Sequence, residues 1–157
     1  MGKSSTLVLG VGNPFRRDDG VGSAVVARLQ AENDLDGVDL LDGGTDGFAL
    51  MDYMYGYEKV LIVDAVNMNV LPGEIRLFSP QEAILSITSD ALSTHGFGVA
   101  EVIALMEKMD MQVNLQILGI QAKDVTFGEG LSPEIAARID DVIELVKKKV
   151  TKVTKVS

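Results

Sequence analysis

The sequence predicts an α/β fold: a three-layer α/β/α sandwich on a mostly parallel, twisted sheet of about five strands. Three observations carry that expectation. Short apolar runs bounded by glycine, lysine or aspartate recur at 6–10, 38–41, 59–65 and 115–120. Segments with apolar residues at three- and four-residue spacing alternate with them. Strands joined through helices require right-handed crossovers, which cover a parallel sheet on both faces.

The first run, TLVLG at 6–10, is continuously apolar, as a doubly covered strand must be. After the loop GVGNPFRRDDGVG at 10–22, residues 19–33 read as a helix, with Val21, Val25, Arg28 and Leu29 near helical spacing. The second strand, at 38–41, runs into Asp42-Gly43-Gly44-Thr45, and Phe48, Met51 and Met54 form a helical stripe behind it. The third, KVLIVDA at 59–65, is apolar and β-branched until Asp64. Residues 66–73 are a loop ending in a Pro72-Gly73 turn, and 74–79 alternate with period two, predicting an edge or antiparallel strand. Ser79-Pro80-Gln81-Glu82 reads as a helix start, and the Ser- and Thr-rich stretch 86–94 as an excursion. Val99, Val102, Ile103, Met106 and Met109 share one helical face before the strand at 115–120. A single last helix is expected, with Ser132 as N-cap, Pro133 at its first position, and Ile135, Ile139, Val142, Ile143, Val146 and Val150 on one face. Lys147, Lys148 and Lys149 suit the negative end of that helix. One domain is expected over 1–157, with 151–157 a tail without pattern.

Composition narrows the chemistry. With no cysteine, disulfides, thiolate metal sites and cysteine nucleophiles are excluded, leaving carboxylates, hydroxyls, amides, lysines and the single histidine, His95. A net charge of −9 argues against nucleic acid and anionic membranes as partners, because both reward clustered Lys and Arg. No apolar run approaches the ~20 residues of a membrane span, and the N-terminus does not read as a signal peptide. A cytoplasmic monomer is the expectation.

The loop at 10–22 resembles a nucleotide-binding glycine loop and fails as one. A dinucleotide fingerprint wants a third glycine where Phe15 stands. Asp42 lies about 30 residues beyond the loop where ~20 is usual. Asp18 and Asp19 would repel a pyrophosphate from the helix N-terminus. Read alone, the pair caps the helix that follows; a cap needs one acid, and the second remains available as an oxygen ligand. Asp64, ending an apolar strand, must reach solvent or a partner. Asp19, Asp64 and His95 together supply O, O and N donors at adjacent strand ends, a set that suits a borderline divalent metal and leaves coordination positions open.

These residues bring in a resemblance. GVGNPFRRDDGVG at 10–22, LDGGT at 41–45, IVDAV at 62–66 and STHGFG at 93–98 are similar to the ordered motifs of the hydrogenase maturation proteases. That family trims the C-terminal extension from the large subunit of nickel-iron hydrogenases. The resemblance implies that Asp19 and Asp64 are the family's metal-binding acids and also its catalytic carboxylates, that His95 is the third ligand, and that Asp42 positions substrate. It implies nickel supplied by the substrate, with cadmium or zinc able to substitute in crystals, and no organic cofactor. The partner is then a nickel-containing large-subunit precursor, cut only after metal insertion. Attack by water is left open between a carboxylate acting as general base and a metal that polarises the carbonyl, so the peptidase is either aspartic-type or metal-assisted.

Two other readings stand beside it. A phosphoacceptor receiver domain also has an acid pair, a strand-ending Asp and a Lys, imitated by Asp18, Asp19, Asp64 and Lys123, although a receiver pair follows its strand almost directly, whereas here Asn13-Pro14-Phe15-Arg16-Arg17 intervenes, and Asp124 follows the lysine where a proline is expected. A nucleotide-binding α/β module without catalysis is the third.

Overall fold

The apolar and alternating stretches form five strands: β1 (Thr6–Gly10), β2 (Val38–Asp42), β3 (Lys59–Val66), β4 (Ile75–Phe78) and β5 (Asn114–Gln121). The computed structural model describes residues 5–45, 47–86 and 99–151. The strands form one sheet in the order β2-β1-β3-β5-β4. β1, β2, β3 and β5 are parallel, and β4 runs antiparallel to β5 at the edge, as its alternating pattern predicted. The predicted α/β class and five-strand count hold.

Helices α1 (Val21–Glu32), α2 (Gly47–Met54), α3 (Pro80–Ser86), α4 (Val99–Lys108), α5 (Pro133–Ala136) and α6 (Ile139–Val150) complete the layers. α2, α3 and α4 bury Leu50, Met51, Met54, Ala83, Val102, Ile103 and Met106 on one face of the sheet. α1, α5 and α6 bury Val21, Val25, Val26, Leu29, Ile135, Val142, Ile143, Val146 and Val150 on the other. Strand alternation divides β3 between these cores: Val60, Ile62 and Val66 face α2 and α4, while Leu61, Val63 and Ala65 face α1 and α6. Asp64 therefore stands on the α2–α4 side, between Ile62 and Val66.

Some helical expectations need correction. Val26 completes the buried stripe of α1, and Arg28 instead points to solvent, bonded to Glu32 and Asp140. Met109 lies one residue past the end of α4 and is 60% exposed, so the helix stops before the stripe's fifth member. The single last helix is two, because residues 137–138 break it between α5 and α6. The helix start at Ser79 holds and is reciprocal: Glu82 N donates to Ser79 Oγ at 3.2 Å and Ser79 N to Glu82 Oε1 at 3.0 Å. Lys147, Lys148 and Lys149 do occupy the last turn of α6.

Candidate active site

The loop after β1 is tied by main-chain bonds to the other strand ends. Val11 N donates to Val63 O (3.0 Å), Gly12 N to Gly44 O (3.0 Å) and Gly43 N to Gly10 O (2.8 Å). Gly12 has φ +133°, and a Cβ there would run into the carbonyl of Asp19, so only glycine lets the chain turn under the acid. Gly22, in the first turn of α1, lies against the sheet: a Cβ there would collide with Val63 O and stand 2.7 Å from Val11 O. The close helix–strand contact that a nucleotide fingerprint assigns to its third glycine thus exists here, made by a glycine several residues later.

The acid pair does not cap α1. Asp18 and Asp19 lie in a 3-10 turn, Arg17–Gly20, ahead of that helix, whose N-cap is Gly20 without a side-chain bond. Asp18 is 0% exposed. Its Oδ2 accepts from Lys123 N (2.9 Å), Asp124 N (2.9 Å) and Ser132 Oγ (2.8 Å), and its Oδ1 from Ser132 N (2.7 Å). Asp18 N donates in turn to Asp124 O at 3.0 Å. A buried carboxylate needs this many donors to offset the loss of water, and each bond to a charged acceptor contributes about 1.5–3 kcal/mol. Ser132, predicted as a helix cap, makes no capping bond and gives its hydroxyl to Asp18 instead.

Asp19, also 0% exposed, accepts from Asn13 N at 2.9 Å through Oδ2. Asn13 is fixed in turn, because its Oδ1 accepts from Phe15 N at 2.9 Å. Asp64 is 2% exposed and sits one residue beyond Val63, whose carbonyl holds the first loop. The Oδ1 atoms of both acids are shielded from solvent. Asp42 ends β2 at the same edge, exposed, with Oδ1 accepting from Gly44 N at 3.3 Å. Asp42 thus ends β2, Asp64 stands two residues before the end of β3 and Asp19 lies in the turn after β1; the structure buries Asp19 and Asp64 and leaves Asp42 at the surface. His95 lies outside the described residues. Among the described residues no three His, Cys, Asp or Glu side chains converge to hold a metal ion.

The ends of β3 and β5 are joined by a residue that no motif singles out. Gln121, buried, accepts from Met68 N (2.7 Å) through Oε1 and donates through Nε2 to Ala122 O (3.0 Å) and Asn67 Oδ1 (3.3 Å). A cleft of about 400 Å³ opens beside it, lined by Asn67, Gln121, Lys123, Asp124 and Thr126. Lys123 pairs with Glu134, which raises the lysine's pKa and lowers the carboxylate's. The Thr126 hydroxyl and amide hold Asp124 below its ordinary range. These details depart from a receiver site: one acid of the pair is consumed by main-chain donors, the lysine is neutralised, and the edge strand is antiparallel. Asp18, Gln121 and Ser132 have no motif between them, because the partners of Asp18 lie 105–114 positions away.

Comparison with known proteins agrees with this architecture. A family model of the hydrogenase maturation proteases matches residues 23–149. The chain is 34% identical over 142 residues to the hydrogenase expression/formation protein HupD of Thiocapsa roseopersicina, covering 88% of this chain and spanning 64% of that protein's length. It is 32% identical over 143 residues to the hydrogenase 2 maturation protease of Escherichia coli, covering 89% of this chain and 87% of the relative. The structure of a NiFe hydrogenase maturation protease from Thermococcus kodakarensis superposes with a TM-score of 0.75 at 30% identity, over 93% of this chain and 99% of the other.

Proposed function

The chain belongs to the hydrogenase maturation protease family, and on that footing we propose that it is an endopeptidase that removes the C-terminal extension of a nickel-iron hydrogenase large-subunit precursor once nickel has been inserted. The reading extends to the site: Asp19, Asp64 and His95, four positions ahead of α4, contact the nickel that the substrate carries. One observation supports it most. Asp19, in the turn after β1, and Asp64, within β3, are both buried carboxylates on segments that Val11 N joins to Val63 O, and oxygen donors of this kind suit a divalent cation. The Asn13 amide holds the Asp19 carboxylate in one orientation, as a ligand that must meet an incoming ion requires. Asp18 keeps the 3-10 turn in place beneath it, and Asp42 on the rim meets the polypeptide.

In this reading the protease needs no metal of its own. Contact with nickel aligns the scissile peptide, so an empty precursor is not positioned for attack. Water adds to the carbonyl carbon, the C–N bond breaks, and the proton from water passes to the leaving amine. Asp19 and Asp64 are the groups of this chain available to take that proton first. The test is incubation with large-subunit precursors, with and without nickel, read by intact mass. Loss of the extension from the nickel-loaded form alone is expected; equal cleavage of both forms, or of neither, overturns the proposal.

A further inference from the structure

Beside the buried acids the surface carries a feature that the cleavage chemistry does not use. Phe15 is 61% exposed and Phe127 74% exposed, and they come from the two loops that Asp18 binds together. Gly128 N donates to Phe15 O at 2.9 Å and Arg17 N to Gly128 O at 3.1 Å, so the two segments are fixed against each other by their backbones. Between the rings in the chain of contacts lies Arg16, whose guanidinium carbon is 4.3 Å from the centroid of Phe127. Single exposed apolar residues are ordinary on a soluble protein; here two exposed phenylalanines stand on segments fixed to each other by main-chain bonds, and one of them lies under an arginine.

The state of the neighbouring cations sharpens the point. Arg17 faces Asp124 at 3.7 Å and Lys123 pairs with Glu134. Arg16 has no carboxylate partner among the described residues, and it holds that position on a chain of net charge −9. Stacking on a ring restricts the guanidinium plane without using its N–H donors, which can bind a carboxylate through paired hydrogen bonds. Arg16 O also accepts from Asp19 N at 3.1 Å, so the main chain of Arg16 adjoins the turn that carries Asp19.

We propose that Phe15, Arg16 and Phe127 form the docking surface for the substrate polypeptide, gripping a segment of the C-terminal extension in which a carboxylate stands beside an apolar side chain. Arg16 takes the carboxylate and the rings take the apolar neighbour. The inference rests on the protease reading above and names the part of the substrate that the rim recognises.

Steady-state cleavage of the nickel-loaded precursor that the wild-type protein cuts is the first arm. Arg16→Ala and Phe127→Ala should each raise KM about tenfold with kcat changed less than about twofold, and Arg16→Lys should recover part of the loss. In the second arm, a synthetic peptide of that precursor's extension is compared by fluorescence anisotropy with the same peptide carrying amides in place of its carboxylates. Amidation should cost the wild-type protein about tenfold in affinity and cost Arg16→Ala nothing further. An unchanged KM, a fall in kcat alone, or equal sensitivity of both proteins to amidation overturns the docking surface while leaving the protease reading in place. Absence of cleavage by the wild-type protein sinks the protease reading instead, and the peptide arm then still decides the surface: no binding, or equal binding by wild type and Arg16→Ala, overturns it.

Discussion

Ser132 meets Asp18 twice, its amide at 2.7 Å from Oδ1 and its hydroxyl at 2.8 Å from Oδ2, across 114 positions of sequence. With the amides of Lys123 and Asp124 completing the set, one carboxylate fastens the loop after β5 to the turn that carries Asp19.

Removing that carboxylate should weaken the whole domain. Asp18→Ala strands three buried or half-buried amides and a hydroxyl, and we expect a loss of about 3 kcal/mol in unfolding free energy by urea titration. Ser132→Ala leaves three amide donors on Asp18 and should cost about 1 kcal/mol. Equal costs for the two variants would mean that the loop is held by something other than Asp18.

Replacing the candidate ligands should separate activity from folding. Asp19→Asn and Asp64→Asn keep side-chain volume, and His95→Ala is a single truncation, so melting temperatures within about 4 °C of wild type are expected. Processing of a nickel-loaded precursor should fall at least about a hundredfold in each. Cadmium or nickel titrated calorimetrically into the wild-type protein should bind, and Asp19→Asn should abolish that heat. Cleavage retained by Asp19→Asn and His95→Ala together would remove the assignment.

Gly22 offers a substitution whose sign is unusual. Alanine for glycine within a helix ordinarily stabilises by about 1 kcal/mol. Here the added methyl meets Val63 O and the Val11 backbone, neither of which is a flexible chain end. Gly22→Ala should therefore destabilise, by about 2 kcal/mol or more, and blunt activity by shifting the strand end next to Asp64. A gain in stability on denaturant unfolding would show that the helix has room to lift.

A pH effect is expected at the other end of the sheet. Burial, together with the hydrogen bond from Tyr57 Oη to Asp39 Oδ2 at 2.6 Å, pushes the Tyr57 phenol up to about 12. The folded state then keeps its phenolic proton at pH values where the unfolded chain, with a tyrosine pKa near ~10, has begun to lose it. This contribution is fully present below about pH 10 and is lost as pH rises towards 12. The alkaline limb of the stability profile should flatten in Tyr57→Phe; an identical limb in both proteins would contradict the sign worked out here.

The sheet was legible because β1 and most of β3 and β5 are continuous apolar runs, and period-two alternation marked β4 as an edge or antiparallel strand, and it is both. Asp19 and Asp64 could be read together because one lies in the loop after the first apolar run and the other late in the third, and the loops of a parallel sheet converge beyond its carboxyl edge. Asp18 was misread as a helix cap because its partners are main-chain amides, which carry no side-chain signature for a sequence to display. The break between α5 and α6 escaped for a related reason: Ile135 and Ile139 keep helical spacing across residues 137–138, so the apolar stripe runs through a bend that only the backbone records. Gln121 has no pattern of its own and acquires its role only when β3 and β5 lie side by side.

Phe127 and Glu129 extend from a loop whose ends are clamped at Asp124 and Ser132 and whose middle is pinned through the main chain of Gly128. None of those fastenings depends on the side chains at 127 or 129. The rim can therefore be rewritten at these positions for a different polypeptide while the floor bearing the acids stays unaltered, which makes the segment a natural exchange point for retargeting the enzyme.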